Sequence, residues 1–157
     1  MMSGKDMISE FKTDISEFWT VSHSQLYPEL QRMVDEKQIK VAEDVEVKDR
    51  KVINYVIEAK GQETLKGWLA EPITLKNDEL TSLKLYCISD QRAPILQQIL
   101  KQCLALHQQK VVHLKARKEL LFGDESAIKG NYGHYLILSR AIERESDYVN
   151  WLQSKIN

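Results

Sequence analysis

The sequence predicts a mainly α-helical chain with one small β-hairpin, divided into a short N-terminal domain and a longer helical C-terminal one. Three observations predict it. Apolar residues recur at three- and four-residue steps over most of the 157 residues. One stretch, 39–57, is instead rich in β-branched residues around a charged turn. A polar break, Thr74-Leu75-Lys76-Asn77-Asp78, follows Pro72 and separates two differently patterned halves. The expected domains are 1–73 and 78–157.

Composition narrows the class. Hydrophobic residues at 43% and charged residues at 29% are ordinary for a water-soluble domain. No apolar run is long enough for a membrane span. The N-terminus carries Lys5, Asp6 and Glu10 where a secretory leader needs an apolar core, so a cytoplasmic protein is expected. Cys87 and Cys103 are isolated in apolar helical contexts and read as small core residues in a reducing compartment. His23, His107, His113 and His134 show no metal-ligand spacing with them, so neither a metal nor a cofactor is expected. There is no nucleotide-binding glycine loop and no nucleophile motif, so the chain does not read as an enzyme.

Along the chain, 4–18 reads as a helix. Met7, Ile8, Phe11, Ile15 and Phe18 form its apolar face. Trp19-Thr20-Val21 is a short turn, and Ser22 is an N-cap with Gln25 as its capping-box partner. The second helix runs to about Lys37, with Leu26, Leu30, Met33 and Val34 on one face. Pro28 lies inside it, where it removes the N–H that would bond the Ser24 carbonyl. Ile39 to Val47 alternates like an exposed strand, Lys48-Asp49-Arg50-Lys51 is a charged turn, and Val52 to Ile57 is a second strand. Lys60 to Ala70 is a helix with Leu65, Trp68 and Leu69 inward. Asp78 caps a helix through about Ser89.

The remainder is helical. Pro94 starts a long helix with an apolar stripe from Leu96 to Leu121. Gly130 and Gly133 interrupt before the last helix. There, Tyr135, Leu138, Ile142, Glu145, Val149, Leu152 and Ile156 step 3, 4, 3, 4, 3, 4, a heptad seam broken by Glu145. Leu138, Ile142, Val149, Leu152 and Ile156 are therefore the candidate dimerisation residues. An intramolecular helical bundle is the other reading of the same periodicity.

Two helices joined by a three-residue turn, then a hairpin, is the order of a winged helix-turn-helix, a DNA-binding module. Ser22, His23, Ser24, Gln25 and Tyr27 crowd the start of the second helix and are the candidate base-reading residues. Arg50 and Lys51 at the hairpin tip are the candidate phosphate contacts. Gln25 has the amide to pair with adenine, but that role competes with capping. Charge argues the other way. Residues 1–60 hold nine Lys/Arg and twelve Asp/Glu, net −3, against a net −1 for the whole chain. An ordinary core helix and a plain surface hairpin are the alternatives.

Three stretches resemble the PadR family of transcriptional regulators. They are Phe18 to Leu30, with its Leu26-Tyr27-Pro28-Glu29-Leu30 motif; Tyr55 to Pro72, with Gly61 and Trp68-Leu69-Ala70-Glu71-Pro72; and Tyr135 to Leu152, which is similar to the close of the family's longer C-terminal domain. The resemblance implies a homodimeric repressor bound to a double-stranded operator, with an N-terminal winged helix and a C-terminal helical dimerisation domain. It accounts for Pro28 as a family feature. It also implies a small aromatic effector, for which Trp19, Trp68 and Trp151 are the candidate contacts. Two features depart from the family pattern: Glu58 stands where the family has threonine, and a glycine/proline-rich wing is replaced by Lys48-Asp49-Arg50-Lys51. A first apolar helix ahead of residue 4 is expected from the family and missing from the sequence. A helical dimeric module that binds a ligand or protein and has lost DNA binding is the alternative.

Overall fold

A computed structural model describes the chain apart from residues 15, 17, 18, 43–45, 48, 49 and 157 and the side chains at 46, 47, 50 and 51. The chain divides into two compact units, Met1–Leu69 and Ala70–Asn157.

In the first unit, β1 (Met2–Ser3) leads directly into α1 (Gly4–Thr13). Ser3 is the reason α1 starts there. Its hydroxyl accepts from the Asp6 N–H at 3.2 Å, and its own N–H donates to the Asp6 carboxylate at 3.0 Å, a reciprocal capping box. The Ser3 bonds hold the Asp6 carboxyl below the usual carboxylate range. The helix ends at Thr13, five residues before the sequence reading places its end. The one Thr13 hydroxyl proton has two acceptors in reach, Ser9 O at 3.1 Å and Asp14 Oδ1 at 2.7 Å, so short polar side chains compete with the backbone there. Ile15 and Phe18, assigned to its apolar face, lie outside the described residues.

Next, α2 (His23–Asp35) starts after Ser22 and continues through Pro28. It stops in a motif that returns two terminal carbonyls to use: Lys37 N–H donates to Val34 O at 2.9 Å and Gln38 N–H to Met33 O at 2.8 Å. Lys37 takes φ 59° to make that turn, a conformation usually left to glycine.

The hairpin differs from its expected form. β2 (Ile39–Val41) and β5 (Asn54–Ile57) pair antiparallel, with Ile39 opposite Ile57 and Val41 opposite Tyr55. Farther out, β3 (Glu46–Val47) and β4 (Arg50–Lys51) pair separately, with Val47 opposite Arg50. Arg50 and Lys51 are thus strand residues, paired with Val47 and Glu46, while the rest of the expected turn, 48 and 49, lies outside the described residues. The sequence reading also passed over β1, which adds a third strand beside β5, with Met2 opposite Tyr55. Among the described residues of this unit, Ile8, Leu30 and Ile39 are the buried apolar side chains.

The helix α3 (Ala59–Ala70) packs close to the end of α2. Gly61 is buried where a Cβ would come within 2.2 Å of the Gln38 carbonyl oxygen. Lys60 Nζ donates to Glu36 O at 2.8 Å, at the C-terminal end of α2. Leu65, expected inward, is exposed.

The second unit is built on α5 (Pro94–Leu121) and α7 (Tyr132–Lys155). They run antiparallel: Gln97 reaches Lys155, His107 faces Glu145, and Lys118 Nζ sits 4.4 Å above the Tyr135 ring. A 3-10 turn (Asp78–Leu80), α4 (Thr81–Tyr86) and α6 (Glu125–Gly130) complete the unit. Ile73, Ile99, Leu100, Cys103 and Leu152 form the core, so Ile73 belongs to this unit and not to the tail of the first. Lys84 is fully buried, its Nζ donating to Glu71 O at 2.7 Å.

Several expectations need correction. Asp78 caps nothing; it lies inside the 3-10 turn with its carboxylate on His107 and Lys110. The helix after it ends at Tyr86, not near Ser89. Gly133 lies inside α7. Cys87 is exposed, and only Cys103 is a core residue. Among the seam residues, Leu138, Leu152 and the interrupting Glu145 are buried within a single chain, and Ile156 packs on the same core. The bundle reading of this periodicity describes what those residues do.

Candidate nucleic-acid interface at the start of α2

The first turns of α2 present their side chains to solvent. Ser22, His23, Ser24, Gln25 and Tyr27 are all exposed, while Leu30 two turns on is buried. The helical period accounts for 24 and 25, which point away from the face of 26, 30, 33 and 34; 23 and 27 share the azimuth of 30 and 34, seven residues on, and are exposed at the N-terminal end of that same face. No acidic side chain occupies the first turn. The unpaired amides and the positive end of the helix macrodipole are therefore left uncompensated there, an arrangement that favours an anion.

Not every exposed group is free. Gln25 Oε1 accepts from the Ser22 N–H at 3.1 Å and from the Ser22 hydroxyl at 2.9 Å. Its acceptor is spent on the cap, and a bidentate amide contact to adenine needs that same oxygen. Ser24 Oγ lies 2.9 Å from Ser22 Oγ, so the two hydroxyls form one small network. His23 and Tyr27 stack with ring centroids 6.0 Å apart and planes 20° from parallel. The phenol of Tyr27 lies over Gly4 so closely that a Cβ there would meet its ring at 2.9 Å. Tyr27 is thus braced on α1 and holds His23 in turn.

A cavity of about 550 Å³ adjoins this end, lined among others by Ser3, Gly4, Lys5, Asp6, Tyr27 and Asn54. The sequence reading missed it. The signal available was Ser3-Gly4-Lys5-Asp6, a serine followed three residues later by an acid, which marks a helix start at Ser3 and puts Lys5 in the first turn.

On the far side of α2, Arg32 forms ion pairs with Glu29 and with Glu36, the latter at 2.5 Å. The Arg32 bond holds the Glu29 carboxyl below its usual range, and both partners raise the guanidinium. These groups are solvent-exposed and contribute little to stability, but they engage Arg32 along its own helix. The side chains of Arg50 and Lys51 lie outside the described residues, and only their strand pairing is fixed.

The three tryptophans do not form one group within either unit. Trp19 and Trp68 are half-buried in the first unit. Trp151, in the second, is exposed and stacks on Tyr148 with centroids 5.7 Å apart. Among the described residues no cluster of three His, Cys, Asp or Glu groups could hold a metal ion, and no helix is long and apolar enough to cross a membrane.

Comparison with known proteins adds the following. The model of the transcriptional regulator PadR-like family matches residues 1–67, and that of the virulence activator alpha C-terminal domain matches 77–157. The negative transcriptional regulator PadR of Bacillus subtilis (strain 168) is 34% identical over 163 residues, covering 98% of this chain and 87% of its own. Two solved structures are similar to the chain. Bacillus subtilis PadR in complex with operator DNA is 31% identical, with 98% of this chain and 87% of that one covered and a TM-score of 0.44. The same protein in complex with p-coumaric acid is 32% identical with the same coverage and a TM-score of 0.42.

Proposed function

The chain belongs to the PadR-like family of transcriptional regulators, and we propose that it represses transcription as a homodimer that reads an operator through the start of α2. The observation that carries this is the capped, acid-free N-terminus of α2, with exposed side chains braced by Tyr27 on Gly4 and a hairpin following at β2 to β5. Its domains are a winged helix within residues 1–69 and a helical dimerisation domain that begins at Ala70. It acts on DNA in the cytoplasm and is not an enzyme.

Roles divide as follows. His23 and Ser24 meet base edges, and Tyr27 positions His23 and donates its hydroxyl to a phosphate. Ser22 and Gln25 hold the helix end in shape, so Gln25 serves the interface through the cap and not through a base. Arg50 and Lys51 on the hairpin, with Lys5 beside Tyr27, supply phosphate contacts. The Bacillus subtilis relative forms a complex with p-coumaric acid. A small aromatic acid of that kind is the effector class for this chain, with Trp19, Trp68 and Trp151 as the aromatic surfaces to test by quenching.

The test is fluorescence anisotropy of the full chain on an inverted-repeat fragment from its own promoter region, over a series of salt concentrations. Replacing Arg50 or Lys51 by alanine reduces the salt slope by about one each, uniformly across sequences. Replacing His23 or Ser24 instead relaxes discrimination between operator and mismatched sites, by roughly 1–3 kcal/mol per lost contact. Absence of salt-sensitive binding refutes the reading. Dimerisation that persists with DNA affinity indifferent to Arg50 and Lys51 supports a helical module without DNA binding, which the net charge of −3 over residues 1–60 favours.

A further inference from the structure

The second unit buries a histidine that DNA binding does not use. His107, on the inward face of α5, is 5% exposed. Its Nδ1 lies 2.5 Å from Glu145 Oε2 on α7, and its Nε2 lies 3.0 Å from Asp78 Oδ1 in the 3-10 turn. Lys110, one turn along α5, donates from Nζ to Asp78 Oδ2 at 2.5 Å. Arg144 approaches Glu145 Oε1 at 3.5 Å from the solvent side. The Tyr148 ring stands perpendicular to the imidazole with centroids 4.5 Å apart. Cys103 Sγ donates to Thr81 Oγ1 at 3.5 Å nearby.

Ionised carboxylates only accept hydrogen bonds, and a neutral imidazole has one N–H and one lone pair. A neutral ring here sets its lone pair against a carboxylate oxygen in a mostly apolar interior, where an unmet polar contact is expensive. The doubly protonated ring donates to both. Charge placement agrees: Lys110 sits on Asp78, Arg144 reaches Glu145 only from solvent and at 3.5 Å, and the imidazole is the group buried between the two carboxylates. Neither neighbouring acid adds a charge near neutral pH, since burial pushes the Cys103 thiol up and the Tyr148 phenol up to about 12.

We propose that Asp78, His107, Glu145 and Lys110 form a protonation-dependent latch, in which His107 carried as imidazolium ties the 3-10 turn and α7 to α5, and loss of its ring proton opens the tie. The Asp78 carboxyl fits this role. Burial raises it, but the bonds from Lys110 and His107 outweigh burial and hold it below the usual carboxylate range. The latch joins elements far apart in sequence, and its opening loosens the unit that α5 and α7 build. Buried charge of this kind specifies one packing of two helices at some cost in stability.

The decisive measurement is the pair of ring nitrogen chemical shifts of His107 in the full chain at neutral pH. Both nitrogens carrying protons is the expected result, with one losing its proton in Glu145→Gln or Asp78→Asn. Thermal unfolding from about pH 5 to pH 9, a span that takes in the range of about pH 5 to 8 in which histidine charge ordinarily changes, gives the functional readout. The wild-type Tm falls on the order of 5 °C relative to His107→Gln as pH rises. A single neutral tautomer at neutral pH, with Glu145 protonated in its place, overturns the proposal, as does an identical pH profile in wild type and His107→Gln. Should the glutamine variant not fold, the wild-type ring shifts decide alone.

Discussion

Replacing Gly61 by alanine tests the packing that sets the recognition unit's geometry. An alanine Cβ lies 2.2 Å from the Gln38 carbonyl oxygen and 3.0 Å from Ile57 Cγ1. Relief to ordinary contact at 3.4 Å requires a displacement of about 1.2 Å between two stretches of backbone. The same Gln38 oxygen accepts the Glu58 N–H at 2.9 Å, so the shift strains that bond as well. Intrinsic helix propensity works in the other direction and favours alanine by about 1 kcal/mol. Overpacking costs roughly 1–3 kcal/mol, and a weakened backbone bond about 1 kcal/mol more. Net destabilisation is therefore about 1–3 kcal/mol. Gly67 is the internal control: it sits on the same helix with nothing within 4 Å of its would-be Cβ. Gly67→Ala gains the full propensity term, about 1 kcal/mol, so the two variants differ by about 2–4 kcal/mol. Denaturant unfolding measures the gap, and faster exchange of the Glu58 amide in Gly61→Ala localises it. Equal stability of the two alanine variants refutes the close-approach argument.

Other expectations follow from the same geometry. Lys37→Gly relieves a side chain held at φ 59° and raises stability by roughly 0.5–1 kcal/mol after the entropy of the unfolded chain is set against the relief; denaturant midpoints check it. Ser22→Ala removes the cap of α2 and lowers stability by about 1 kcal/mol, and Gln25→Ala does so more weakly while leaving operator discrimination intact, which competition binding reads. The folded Asp78 carboxyl lies below its unfolded value, so its contribution is present above the ordinary carboxylate range and lost as pH falls through the lower folded value. Acid unfolding curves of wild type and Asp78→Asn show this as a component present only in the wild type.

What the sequence displayed clearly was whatever depends on local order. Ser22 with Gln25 three residues on announced the start of α2, and the β-branched run at 52–57 announced a strand, because capping and strand propensity act within a few residues. What it hid depends on distant partners. Gly61 is explained only by the Gln38 carbonyl, which comes from another element and has no side-chain signature. β1 is two residues long, too short for any alternation to register, and exists because β5 offers an open edge. Leu65 lies on the apolar period of α3 yet is exposed, since period fixes which residues share a face and not whether the face is covered. Gln25 fits both a cap and a base contact by residue type alone. Only the position of its Oε1 beside Ser22 separates the two.

The same limit governs the C-terminal seam and leads to a sharper prediction about the dimer. A heptad repeat reports a buried stripe without saying which helix buries it. Here α5 of the same chain does so, and the two polar interruptions, His107 on α5 and Glu145 on α7, meet each other. Leu152 is 0% exposed within one chain, so it has nothing left to offer a partner. Among the described residues, the aliphatic groups of α5 and α7 that most face solvent are Val112 at 69%, Leu120 at 79% and Ile137 at 69%. A homodimer built on this unit has to cover these. Val112→Asp or Ile137→Asp should therefore yield a monomer by sedimentation with helical content retained, since neither side chain supports the fold. Leu152→Asp should lose helical content itself, because it places a charge in the core. A dimer that survives both Val112→Asp and Ile137→Asp would show that the interface lies elsewhere, with the half-buried Ile142 and Val149 of α7 next to be tested.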